Sequence, residues 1–168
     1  MKHTDIIITK MLQDHWNAVA DIYKQGIATG IATFEKDIPN WDTWNANHIE
    51  KCRSVALIGK NIIGWAALSA VSSRCVYGGV AEVSVYVGAA NRGMGVGALL
   101  LKNLIDQSEK LGYWTLQAGI FPENKKSIKL HQKAGFRTIG YREKIGQLDG
   151  VWKDNILMER RSKTVGLI

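Results

Sequence analysis

Cysteine and proline are scarce in this 168-residue chain, with two of each. Cys52 and Cys75 show no metal-type spacing and cannot build a disulfide framework, so they read as ordinary reduced thiols in a cytoplasmic protein. No metal centre is expected. No run approaches the roughly 20 apolar residues of a membrane span, so no membrane partner is expected. The opening Met1-Lys2-His3-Thr4-Asp5 carries no apolar signal core. Repeats, linkers and low-complexity tracts are missing too, so residues 1–161 read as one domain and 162–168 as a frayed tail.

A charge of one sign prevails without being massed. Lys and Arg number 22 against 15 Asp and Glu, a formal net charge of +7, yet the basic residues are spread along the chain. That argues against a nucleic-acid partner. The clearest cluster, Lys125, Lys126, Lys129, Lys133 and Arg137, reads mostly as a solvated helix face. A polyanionic ligand would account for a few of these residues, and the excess charge would steer it inward. At 46% hydrophobic, the chain has enough apolar material for a real core.

Hydrophobic periodicity gives the order β-α-α-β-β-β-α-β-α-β-β. Strands are expected at Ile6–Thr9, Val55–Ile58, Ile62–Leu68, Ala81–Val87, Tyr113–Ile120, Phe136–Ile145 and Trp152–Glu159. Helices are expected at Leu12–Ile27, about Asp42–Lys51, Gly95–Leu111 and Pro122–Ala134, the last two closed by Gly112 and Gly135. Trp16, Val19, Ala20, Tyr23 and Ile27 share a face of the first helix. The loop Thr29–Phe34 has enough apolar character to line something, and Gly146–Gly150 joins the final antiparallel pair.

The densest signal is the strand Val83–Val87 running into Asn91-Arg92-Gly93-Met94-Gly95-Val96-Gly97-Ala98 and then an apolar-periodic helix. Glycines let backbone N–H groups crowd around an anion, the helix N-terminus adds partial positive charge, and Arg92 adds a full one. A phosphate-bearing ligand is expected here. A nucleotide P-loop is excluded, since no Lys-Ser/Thr follows Gly97. The dinucleotide fingerprint fits loosely through Gly93-x-Gly95-x-x-Ala98. It also needs a first βαβ unit and an acidic residue ending the next strand, and Tyr113–Ile120 offers Thr115 and Gln117 instead.

One strand later comes Pro122-x-Asn124-x-x-Ser127-x-x-Leu130-His131-x-Lys133-x-Gly135-Phe136. The pairing of this segment with the Arg92–Ala98 turn resembles the GNAT superfamily of N-acetyltransferases over most of the chain. Glu82 to Val87, Phe34, Arg74, Tyr77, His131 and Trp152-x-Asp154 look like its phosphinothricin/methionine sulfoximine acetyltransferase subfamily. The resemblance implies an α/β fold whose mixed, twisted sheet, flanked by helices, splays open between its central strands to admit acetyl-CoA. By that analogy the backbone of Val85, Tyr86 and Val87 pairs with the pantetheine arm. The N–H groups of Arg92, Gly93, Met94, Gly95, Val96, Gly97 and Ala98 hold the pyrophosphate. Asn124, Ser127 and Lys133 meet the far side of the cofactor.

Acetyl transfer to an amine needs an uncharged nitrogen, a polarised carbonyl and a protonated thiol leaving group. Glu82, opening the central strand, is the candidate base, the Val85 N–H the candidate donor to the carbonyl oxygen, and His131 the candidate acid. Arg74 and Tyr77 are expected to clamp an anionic group of the acceptor between the aromatic walls Phe34 and Tyr86. Ser72 stands where this family often has lysine, and Gly79 where it often has tryptophan. Those departures favour methionine sulfoximine or sulfone over phosphinothricin. The acceptor is read as the amine of a small amino acid or analogue, with homodimerisation left open. A protein N-terminus, a polyamine or an aminoglycoside is the alternative within enzymes. A non-catalytic acyl-CoA-binding module is the alternative outside them.

Overall fold

Period-2 alternation builds most of this molecule. In the computed structural model, which describes residues 6–168, one sheet carries seven strands. They are β1 (Ile6–Lys10), β2 (Arg53–Ile58), β3 (Asn61–Ala70), β4 (Val80–Val87), β5 (Thr115–Ile120), β6 (Arg137–Leu148) and β7 (Val151–Arg161). Their order across the sheet is β1-β2-β3-β4-β5-β7-β6. Four helices accompany them: α1 (Trp16–Ala28), α2 (Trp41–Asn47), α3 (Val96–Lys110) and α4 (Lys125–Lys133). This is the expected α/β order and the expected mixed sheet. The reading of Met1–Asp5 lies outside the described residues.

Alternation sorts the side chains onto two faces. Ala81, Val83, Val85 and Val87 of β4 join Leu116, Ala118 and Ile120 of β5 against Val96, Leu100, Leu101 and Leu104 of α3. On the opposite face Trp65, Ala67 and Tyr86 meet Val19, Ile22 and Tyr23 of α1 and Trp44 of α2. The buried stripe of α1 is Val19, Ile22, Tyr23 and Gly26, rotated from the expected one. Gly26 is what allows it: a Cβ there would lie 2.6 Å from the Tyr86 ring.

Every neighbouring pair is antiparallel except β4 and β5. These two run parallel and touch only at Val80–Thr115, Ala81–Leu116 and Glu82–Gln117. Beyond Glu82, β4 follows β3 as far as Val87, while β5 follows β7 as far as Ile120. Sheet twist turns the two halves apart, and the expected split opens between them.

Several boundaries differ from the sequence reading: α1 starts at Trp16 rather than Leu12, behind a 3-10 turn at Gln13–His15, and four further differences have a visible cause. Helix α2 stops at Asn47, because buried Arg53 donates to the Asn45 and His48 carbonyl oxygens and to Asn45 Oδ1. Asn124 caps α4 by accepting from the Ser127 N–H at 3.2 Å, so the helix starts at Lys125 and leaves Pro122 outside. The last hairpin turns at Asp149-Gly150, with φ of 49° and 79°, a two-residue turn that lets Gly146, Gln147 and Leu148 pair with β7. The tail is fastened rather than frayed. The Ser162 N–H donates to the Trp114 carbonyl, and Arg161 Nη1 reaches the Val165 carbonyl at 2.7 Å.

Candidate active site

Between the splayed strands lies a cleft of about 1070 Å³, at the upper end for small-ligand sites. Its floor is the point where β4 and β5 part. Here Gln117 Nε2 donates to Glu82 Oε2 at 3.0 Å, holding the carboxylate across the opening. Above this rung, the edge of β4 toward β5 has no strand partner from Val83 to Val87. Those backbone groups remain available to an extended ligand.

One end of the cleft gathers unpaired N–H donors and cations. Gly93 and Gly95 take φ of 81° and 82°, and a Cβ on either would meet nothing within 4 Å. Gly95 is the N-cap of α3 and offers no side-chain acceptor. The N–H groups from Gly93 to Ala98 therefore donate to no acceptor among the described residues. Arg92, Gly93, Gly95, Val96 and Gly97 line the cleft, joined by Asn124, Lys125, Lys126 and Ser127 from the start of α4. These free donors and cations fit a pyrophosphate. The Met94 side chain is 45% exposed and off the lining, as are Ala98 and Lys133. Of the basic cluster read mostly as a solvated face, Lys125 and Lys126 reach the cleft and Lys133 does not.

Strand parity puts the remaining groups on the opposite face. Glu82, Ser84 and Tyr86 alternate with the residues packed on α3, and Gln117 and Gly119 do the same on β5. Tyr86 is walled between Tyr23, at 4.9 Å, and the stacked ring of Trp65, at 4.8 Å. Burial holds its phenol well above the usual range and pushes Tyr23 up to about 12, so both remain neutral donors. Phe34 reaches the cleft as expected and meets Phe121 edge-on at 4.7 Å.

His131 lines the cleft but is only 4% exposed. Its Nδ1 lies 2.8 Å from the Ser127 carbonyl oxygen, which makes Nδ1 the protonated nitrogen. Burial lowers the imidazole below its ordinary value. The side chain expected to be an acid thus starts neutral, with Nε2 as an acceptor. His48, which the sequence reading passed over, is a second such imidazole on the cleft. Its Nδ1 is 2.7 Å from the Trp44 carbonyl oxygen, the ring stacks on Trp44, and burial lowers its pKa.

Arg74 and Tyr77 are not brought into the cleft. They flank an exposed turn where the guanidinium lies over the tyrosine ring at 5.6 Å. The glycine at 79 has a local cause. A Cβ there would stand 2.0 Å from Trp114, so the indole from the head of β5 occupies the room a side chain would need. Further residues on the lining went unread in the sequence, among them Glu35, Arg142 and Asn155. Strand parity would have flagged Gln117 and Asn155. Arg142 has no such signal, because a register shift between Thr138 and Gly140 sets which face its part of β6 presents.

Comparison with known proteins agrees with this geometry. The model of the acetyltransferase (GNAT) family matches residues 16–136. YwnH of Bacillus subtilis (strain 168), whose name provisionally assigns it phosphinothricin acetylation, is 32% identical over 150 residues, covering 85% of this chain and 92% of its own. An L-methionine sulfoximine/L-methionine sulfone acetyltransferase of Salmonella typhimurium is 38% identical over 78 residues, 46% of each chain. The crystal structure of a GNAT superfamily phosphinothricin acetyltransferase from Sinorhizobium meliloti, in complex with AcCoA, superposes with a TM-score of 0.86. It is 27% identical and covers 97% of this chain and 91% of its own.

Proposed function

This chain belongs to the acetyltransferase (GNAT) family, and from that premise we propose that it acetylates the amine of a small amino acid or amino-acid analogue. Transfer is direct, within a ternary complex with acetyl-CoA. One observation carries the reading. The unpartnered N–H groups at Gly93–Ala98 and the Glu82–Gln117 pair belong to opposite faces of the sheet, and a single cleft through the β4–β5 split joins them.

Acetyl-CoA, when bound, supplies a thioester carbonyl already activated for attack. The chain's own residues do the rest. Arg92, Lys125, Lys126 and the amides of Gly93 to Ala98 hold the pyrophosphate, and the unpaired edge of β4 from Val85 to Val87 orders an extended arm. Glu82 takes the proton of the acceptor's ammonium, directly or through water, while Gln117 fixes one carboxylate oxygen. His131 enters neutral, so any proton it gives to the leaving sulfur is first taken up at Nε2. Tyr23, Tyr86 and Phe34 wall the acceptor side and exclude water.

The test is a panel of free amino acids, sulfoximine and sulfone analogues, polyamines, aminoglycosides and N-terminal peptides, read by thiol release and product mass. Amino acids or their analogues should give the highest kcat/KM. Faster turnover of a polyamine, aminoglycoside or peptide would overturn the substrate assignment. CoA binding with no turnover of any amine would leave only a binding module.

A further inference from the structure

Arg142 is the remaining formal cation on the cleft once Arg92, Lys125 and Lys126 are given to the anion-binding end. Its position follows from register. Ile156 and Met158 of β7 pack into the core on the α3 side, so Asn155 faces the other way, and Arg142 pairs with Asn155. Arg142 therefore shares its face with Glu82 and Gln117. Asn155 is 7% exposed and lies against Gly119, where a Cβ would be 3.1 Å from its amide. Asn155 Oδ1 accepts from Arg142 Nη2 at 2.8 Å, which orients the guanidinium. No carboxylate among the described residues forms an ion pair with it.

The strand is shaped to hold this arrangement. Just past Arg142, Lys144 takes φ of 47° and its N–H donates to Asp154 Oδ1 at 2.8 Å. The Tyr141 O–H donates to the other oxygen of the same carboxylate. This locked bulge brings Ile145 and Gly146 onto the cleft, with Gly146 close against Phe34. The Glu82 carboxylate and the Arg142 guanidinium are thus opposite formal charges on the lining of one cleft.

We propose that Arg142 is the specificity-determining residue of the acceptor side, receiving an oxyanion of the acceptor while Glu82 faces its amine. The inference rests on the acetyl-transfer reading above and replaces Arg74 and Tyr77 in the anchoring role. The oxyanion belongs either to the α-carboxylate or to the acceptor's side chain. The experiment compares wild type with Arg142→Gln, which retains a donor for Asn155. Three acceptors are used: the best amino-acid acceptor, its primary carboxamide, and an analogue lacking the side-chain oxyanion. CoA affinity is measured alongside.

Arg142→Gln should raise KM for the best acceptor by about tenfold or more, with kcat and CoA affinity within about twofold. Loss of that KM penalty with the carboxamide assigns the anion to the α-carboxylate. Loss with the other analogue assigns it to the side chain. An equal penalty on all three acceptors overturns the proposal, as does an unchanged KM for the best acceptor. If wild type releases no thiol with any amine, the acetyl-transfer reading falls and this inference falls with it.

Discussion

Gly95→Val separates the ligand-binding role of the glycine turn from its role in folding. Gly95 has φ of 82°, a left-handed conformation that a β-branched residue adopts only at a cost of about 1–3 kcal/mol. An added Cβ meets nothing within 4 Å, so no packing penalty accompanies that strain. Against a typical domain stability of about 5–15 kcal/mol, the variant should remain folded. Gly95 lines the cleft, and the methyl groups of valine project to where a phosphate must approach the bare N–H groups. Each hydrogen bond to a charged group contributes about 1.5–3 kcal/mol, so losing two weakens CoA binding by roughly 10²- to 10⁴-fold. Calorimetry with CoA measures this, with circular dichroism to confirm the fold. Pantetheine, which has no pyrophosphate, should bind the variant and wild type alike. A folded Gly95→Val protein that binds CoA within about threefold of wild type would refute the placement of the pyrophosphate at this turn.

Glu82→Gln should lower kcat by roughly 10²-fold while sparing CoA affinity. Near-normal turnover would assign the deprotonation elsewhere. Gly79→Ala should destabilise the fold by about 1–3 kcal/mol, because its Cβ would overlap the Trp114 ring. An unchanged denaturation midpoint would show that the indole moves freely. His48 and His131 both have pKa values lowered by burial, so the unfolded chain binds protons more readily than the folded one. Their contribution is complete above the unfolded value near 6.5 and is lost as pH falls through the folded values, by up to about 1.4 kcal/mol per pH unit for each imidazole. Urea titrations between pH 7 and 5 should show that loss, and His131→Gln should flatten it.

Much of the frame was legible residue by residue. The alternation in Val83–Val87, the i, i+3, i+4 spacing from Val96 to Leu104, and Gly112 and Gly135 after α3 and α4 depend on local geometry, which sequence records directly. The glycine-arginine turn belongs to the same class, since positive φ at Gly93 and Gly95 is a property of single residues. Element ends were harder to read. Arg53 truncates α2 from a different strand, and Asn124 displaces Pro122 as the start of α4. Of the two candidate catalytic residues, Glu82 could be named from its place on the central strand. The neutral state of His131 depends on its burial and on a carbonyl one turn away.

By itself, then, the sequence determined the order of elements, the glycine-arginine turn and the candidate base, because each is set by dihedral preference, periodicity or neighbours within a few residues. Tertiary structure alone decided which charges meet in the cleft. It left Arg74 and Tyr77 on an exposed turn, put Lys125 and Lys126 but not Lys133 on the cleft lining, and set Arg142 on that lining beside Asn155. The reason is physical: strand register and sheet twist convert a one-residue shift into a change of face, and register is fixed by partners distant in sequence.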